Sequence, residues 1–169
     1  YIADDAGKRL LETSAEIREK VIALIGEEAY TGKSPNRKHI ASVVFKESEK
    51  LDALNKIIHP AVAKDFENWQ NQQNSPYVLY EAAILFEAGG YKKCDLNILV
   101  TASKEEKLER LQQRDQSTLE EIEARMAKQW SDERKKKLAD FEIENHDLAL
   151  TRSRVDELHE IILKRGKNY

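Results

Sequence analysis

Tyr77-Val78-Leu79-Tyr80-Glu81-Ala82-Ala83-Ile84-Leu85-Phe86-Glu87 is the stretch that decides how this chain is read. Its first four residues are aromatic, aliphatic or β-branched and follow the breaker Asn74-Ser75-Pro76. That pattern predicts a strand buried on both faces, as in a parallel sheet. Glu81 then falls at the carboxyl end of the strand, where open α/β sheets place their ligands. A second apolar run, Leu96-Asn97-Ile98-Leu99-Val100, ends in Thr101-Ala102-Ser103. Two such strands with helical sequence on both sides predict an α/β fold, a parallel β-sheet core flanked by helices.

Upstream of this stretch, Tyr1-Ile2-Ala3 reads as the end of a strand, with Asp4-Asp5 directly after it. Leu10, Ile17, Val21, Leu24 and Ile25 then recur at helical spacing, and Gly26 is placed to end that helix. A polar loop containing Gly32 and Pro35 leads into a second helical segment over 36–45. Leu51, Leu54, Ile58, Val62, Phe66 and Trp69 predict a long amphipathic helix. Proline lacks the amide donor and disfavours helix in the residue before it, so a break or kink is expected at His59-Pro60.

Downstream, Ser103-Lys104-Glu105-Glu106 and Thr118-Leu119-Glu120-Glu121 have the spacing of capping boxes, each opening a helix. Ser131 is placed to cap a short helix through Leu138. Phe141-Glu142-Ile143-Glu144-Asn145 alternates like a last strand. Ser153-Arg154-Val155-Asp156 is read as the start of a final helix with Val155, Leu158, Ile161 and Ile162 facing inward.

Composition narrows the function classes. The 169 residues suit one domain with a real core, and 35% charged residues with few Pro and Gly point to a helix-rich soluble protein. A net charge of −3 lacks the basic field of a general nucleic-acid binder. The single cysteine, Cys94, rules out an internal disulfide framework and is read as a small residue entering a strand. No apolar run approaches the ~20 residues that cross a bilayer, and no signal peptide is visible, so a cytoplasmic protein is expected.

Several residue groups invite chemistry. Gly32-Lys33-Ser34 invites a phosphate-loop reading, but Glu27 stands where the motif needs glycine and Pro35 disfavours helix at Ser34, so a surface turn is expected. Asp4-Asp5 at a strand end can hold magnesium or take a proton from an attacking hydroxyl; helix N-capping is the plainer alternative. Lys107, Arg110 and Arg114 share one helix face, which suits clamping a phosphoryl group, against the commoner case of a solvated face. Arg134-Lys135-Lys136-Lys137 is read as solvated. His59 is either a ligand contact freed by the helix break or a structural histidine. His39, His146 and His159 form no spaced metal set.

Taken in order, these pieces resemble dephospho-CoA kinase, of the nucleoside-monophosphate-kinase-like phosphate-loop group. Asp4-Asp5-Ala6-Gly7-Lys8 is similar to the family's early Asp-x-x-Ala-Arg/Lys segment, and residues 32–37 to its Asp-Gly-x-x-Asn/Asp-Arg turn. Leu54-Asn55-Lys56-Ile57-Ile58-His59-Pro60 matches Leu-Asn-x-Ile-x-His-Pro, and Ile84-Leu85-Phe86-Glu87 matches the Leu-Leu-Phe-Glu stretch, with Ala83 where the family has proline. Arg110 and Arg114-Asp115 resemble the lid's Arg-x-x-x-Arg-Asp. Gln129 to Ser131, Lys135, Ala139-Asp140-Phe141 and Asn145 resemble the closing signature.

The resemblance implies a three-layer α/β/α fold. Residues 1–30 and 75–169 would form the core, with a lid at about 104–130 and a helical acceptor lobe over 31–74. It implies ATP-dependent phosphorylation of the ribose 3′-hydroxyl of dephospho-CoA to give coenzyme A, with ATP and Mg²⁺ required. Neither nucleic acid nor membrane would be a partner. Asp4 would be the base or the magnesium-side carboxylate, and Arg110 and Arg114 would close over the phosphates. Lys8, Arg37, His59, Glu81 and Glu87 would contact substrate.

The family also opens with a strand, a Gly-rich loop and a helix, roughly thirty residues or about one βαβ unit's worth, ahead of the matched region. This polypeptide alone is therefore expected not to turn over ATP. The alternatives are another small-molecule kinase of the group and a non-catalytic binding module. A Gly-x-x-x-x-Gly-Lys-Ser/Thr segment encoded upstream separates enzyme from module.

Overall fold

A computed structural model describes residues 1–115 and 118–166, which fold as two compact units, Tyr1–Ala83 and Ile84–Tyr169. In the first unit, residues 1–30 pack with the helices of 31–74.

In that unit, helix α1 (Ala3–Thr13) begins well before the expected Leu10. It is separated from α2 (Ala15–Ile25) by Ser14, so the single helix expected over 10–25 is two. Ser14 is extended, and its hydroxyl accepts from the Ile17 amide (3.3 Å), capping α2 while α1 ends. Gly26 ends α2 as expected, at φ 114°, where a side chain is strained.

Strands β1 (Tyr30–Thr31) and β2 (Ser34–Pro35) pair as a hairpin around Gly32-Lys33, so Gly32-Lys33-Ser34 is the exposed turn expected and not a phosphate loop. Helix α3 (Arg37–Val44) follows the cap Asn36, whose side chain accepts from the His39 amide.

Helix α4 (Ser48–Gln70) runs through Pro60 without the expected break. His59 and Pro60 are exposed, so water can satisfy the carbonyl that the proline leaves without a donor. On either side of them Leu54, Ile57, Ile58 and Ala61 pack on the core of Ile17, Val21, Ala29, Tyr30, Ile40 and Val44. Burial along both halves outweighs the local preference of proline.

Ile2 pairs in parallel with Glu81: Ala3 N donates to Glu81 O and Glu81 N to Tyr1 O, both at 2.9 Å. A single bridge thus stands where a strand end was expected at Tyr1-Ile2-Ala3, with Ala3 already in α1, and 77–80, expected as a strand buried on both faces, is irregular up to that bridge. Leu79 is 61% exposed.

In the second unit Cys94 ends the 3-10 turn Gly90–Lys93, ahead of the strand it was expected to enter, and burial pushes its thiol pKa up. Strand β3 (Ile98–Thr101) follows, then helices α5 (Lys104–Asp115), α6 (Leu119–Ala127) and α7 (Asp132–Lys136). Gln116 and Ser117 of the expected lid lie outside the described residues.

Strand β4 (Phe141–Glu144) pairs in parallel with β3, Ile98 opposite Phe141 and Thr101 opposite Glu144. The Asp140 carboxylate accepts from the Asn97 amide (2.7 Å) and sets the start of the ladder. Both expected capping boxes form, at Ser103/Glu106 and Thr118/Glu121.

Helix α8 (Leu148–Gly166) starts earlier than Ser153-x-x-Asp156 suggests, because Asp147 accepts from the Leu150 amide (2.9 Å). Val155, expected to face inward, is exposed, while Leu158 is buried. Among the described residues no helix is long and apolar enough to cross a membrane.

Candidate active site

The residues expected to act fall in both units. In the first, the chain leaves the Ile2–Glu81 bridge and enters α1 at once, so Asp4 and Asp5 occupy the first helical turn. They are not N-caps: the cap residue is Ile2, without a side-chain bond. Carboxylates here favour the positive end of the helix dipole, which equally suits an anionic or metal-bound ligand.

The two aspartates differ in what engages them. Lys8 Nζ holds Asp5 Oδ1 at 2.8 Å, while Asp4 is exposed and has no ion pair among the described residues. Glu81, also exposed, stands at the same end of the parallel pair as Asp4.

Arg37 is at the other end of α1, bonded to Glu12 (2.8 Å). Eight residues of helix rise separate Glu12 from Asp4, about 12 Å. His59 is exposed on α4. The structure therefore sets Asp4 and Glu81 at the first turn of α1, with Lys8 one turn further on against Asp5, and Arg37 at the other end of the helix.

In the second unit, Lys107, Arg110 and Arg114 do share a face of α5, with Arg114 in its last turn. Lys107 Nζ binds Asp132 at the start of α7 (2.5 Å), and Arg110 binds Glu106 (3.3 Å). Glu106 is a hub. It accepts from the Ser103 amide (2.9 Å) and hydroxyl (2.8 Å) and lies 2.5 Å from His146 Nδ1. The Ser103 amide, the Ser103 hydroxyl and His146, in that order, hold its carboxyl down at about 2.

Glu87 is not open to solvent. Its Oε1 accepts from the Trp130 amide (2.8 Å) and from Lys135 Nζ (2.9 Å). The Glu87 and Lys135 side chains are 13% and 8% exposed, so one member of the supposedly solvated basic run is buried. Burial pushes the Glu87 carboxyl up, but Lys135 and the Trp130 amide outweigh it and hold it below the usual carboxylate value.

Sequence reasoning missed the Glu87–Lys135 and Glu106–His146 pairs, and also Asp65. Asp65 takes Arg9 (2.6 Å) and the Tyr1 hydroxyl (2.5 Å) from 56 and 64 residues away. No local spacing signals such partners. A charged residue inside an apolar helix face, as Asp65 beside Phe66 and Trp69, was the one available hint.

Among the described residues no cluster of three or more His, Cys, Asp or Glu forms a closed metal cage. Magnesium in phosphoryl-transfer sites takes one or two carboxylates with water and phosphate oxygens, and the exposed Asp4 fits that smaller role.

Comparison with known proteins gives this arrangement its class. A sequence model of the dephospho-CoA kinase family matches residues 2–150. Dephospho-CoA kinase of Chlorobium chlorochromatii (strain CaD3) is 40% identical over 154 residues, covering 86% of this chain and 73% of that protein. Dephospho-CoA kinase of Leptospira interrogans serovar Lai (strain 56601) is 34% identical over 160 residues, covering 94% and 74%.

In structure, TT1252 from Thermus thermophilus aligns with a TM-score of 0.85 at 28% identity, over 95% of this chain and 82% of that one. Dephospho-CoA kinase from Campylobacter jejuni aligns at 0.66 and 29% identity, over 96% and 84%. Parallel strand pairing between helices and these alignments define a kinase of the phosphate-loop class, a phosphotransferase fold. Within that class, the chain belongs to the dephospho-CoA kinase family.

Proposed function

We propose that the full-length protein transfers the γ-phosphoryl group of ATP to the ribose 3′-hydroxyl of dephospho-CoA, giving coenzyme A and ADP, in the cytoplasm. The 3′ oxygen forms a bond to the γ-phosphorus, and the bond from that phosphorus to the β–γ bridging oxygen breaks. The hydroxyl proton passes to Asp4. The observation that carries this reading is the family match over 2–150, joined to an exposed Asp4 directly after a parallel strand bridge.

Phosphoryl transfer needs positioning and charge neutralisation more than covalent help. Arg110 and Arg114, four residues apart on α5, supply guanidinium groups for the spread charge of the transferring group. Lys8, Glu81, Arg37 and His59 contact substrate, Arg37 and His59 from the helical segment 31–74. Magnesium, when bound, would neutralise phosphate charge; holding it is the alternative to the base role for Asp4, not an addition to it.

The test is Asp4→Asn in the full-length protein with ATP, magnesium and dephospho-CoA. Loss of a general base is expected to lower kcat by about a hundredfold or more, with the KM for ATP changed little. Unchanged turnover removes Asp4 from this role. A screen of other hydroxyl acceptors, with one of them preferred, would reassign the substrate.

A further inference from the structure

Helix α5 carries the candidate phosphate clamp, α6 packs on it, and the chain returns from them through 128–131, a stretch without helix. That return is held at several points. Trp130 gives its amide to Glu87 Oε1 (2.8 Å), and Arg134 stacks its guanidinium 3.3 Å above the Trp130 ring. Ser131 caps α7, whose Lys135 reaches the same Glu87 oxygen (2.9 Å). Lys107 of α5 binds Asp132 of α7.

The other end of the pair is fixed by Ser103, Glu106 and His146. One carboxylate oxygen, nearly out of solvent, thus takes two donors at the point where the lid helices rejoin the unit. Its second oxygen, Oε2, is buried without a hydrogen-bond partner. A buried carboxylate with only one oxygen satisfied is a poor stabiliser by itself. A positional role accounts for its being there.

We infer that Glu87 is a positioning residue for the lid arginines: by holding the Trp130 amide against Lys135 it sets the exit hinge of the α5–α6 pair, and it does not contact the acceptor. This rests on the phosphoryl-transfer reading for its catalytic consequence, and on the second unit alone for its structural one. Hinges are set by a few element-terminal residues remote from the reacting atoms, and small misplacement of charged groups is costly.

The test compares two double variants of the full-length protein, Glu87→Gln/Lys135→Met and Glu87→Leu/Lys135→Met. Both remove the buried charges together, which avoids leaving a lone buried ion. Only the first keeps an acceptor for the Trp130 amide, so it is the folding and packing control.

Relative to that control, the leucine variant is expected to lose hydrogen-exchange protection at Trp130 and across 104–127. Its kcat is expected to fall about tenfold to a hundredfold, with the KM for dephospho-CoA held within about twofold. A raised acceptor KM at constant kcat would make Glu87 a substrate contact and overturn the inference. Equal exchange protection in the two variants would overturn it as well, whatever the activity. Absence of dephospho-CoA phosphorylation by the wild-type protein would count against the proposed function and leave the exchange comparison to decide the hinge.

Discussion

Glu106 and His146 meet at 2.5 Å, joining the first turn of α5 to the segment between β4 and α8. The Ser103 amide and hydroxyl act more strongly on the Glu106 carboxyl than His146 does. We expect Glu106 to titrate near 2 by carboxyl-carbon NMR, instead of at its ordinary 4.5. Ser103→Ala and His146→Ala should each raise that value only in part, because the Ser103 amide, the strongest of the three partners, remains in both variants. A variant that leaves the value unchanged would remove its side chain from the anchor of α5. A depressed carboxyl stabilises the fold fully above its ordinary value, and that contribution fades as pH falls toward 2.

Asp65 makes a second pH-dependent contribution. Burial pushes its carboxyl up, yet the bonds from Tyr1 and Arg9 outweigh burial and lower it. Asp65→Asn is expected to cost about 1.5 kcal/mol at neutral pH, typical of hydrogen bonds to a charged group. The difference between wild type and variant should shrink as pH falls below the ordinary carboxylate range, because the native carboxylate, held lower than usual, is then progressively protonated. Urea denaturation at several pH values measures it. A difference that stays constant would mean that the charge of Asp65 contributes nothing.

Pro60 interrupts no helix, so the donor it lacks is a local cost met by packing. Pro60→Ala is expected to stabilise the fold by about 2 kcal/mol, less than the full ~3 kcal/mol propensity difference because the unfolded chain gains freedom. A loss of stability in denaturant unfolding would show that the proline ring itself packs usefully.

Ser14 separates α1 from α2 by capping the second helix. Ser14→Ala should cost about 1 kcal/mol, and Ser14→Gly only a few tenths. If alanine instead stabilises the protein, α1 and α2 are being fused into one helix, as the apolar spacing alone suggests.

Much of this chain was legible because its signals are local. Ser103/Glu106, Thr118/Glu121 and Ser131 mark helix starts through bonds that reach only two or three residues, and those bonds form. Gly26 and the Gly32-Lys33 turn are read the same way. The ordered run of motifs from Asp4 to Asn145 carried the family, which the match over 2–150 supports.

Other features were set by contacts between distant segments. Proline at 60 argued for a break, but apolar burial along both halves of α4 decided for a continuous helix. A basic run read as solvated, yet Lys135 is buried because Glu87 awaits it on another segment. Leu79 read as core and is exposed, since a strand residue is buried only when neighbouring elements cover it. By itself the sequence determined where α5, α6 and α7 begin and which family's residues are present, because capping and turn chemistry act over a few bonds. Only the tertiary structure decided which carboxylate is paired and which is open, because a charge is partnered across space and not along the chain.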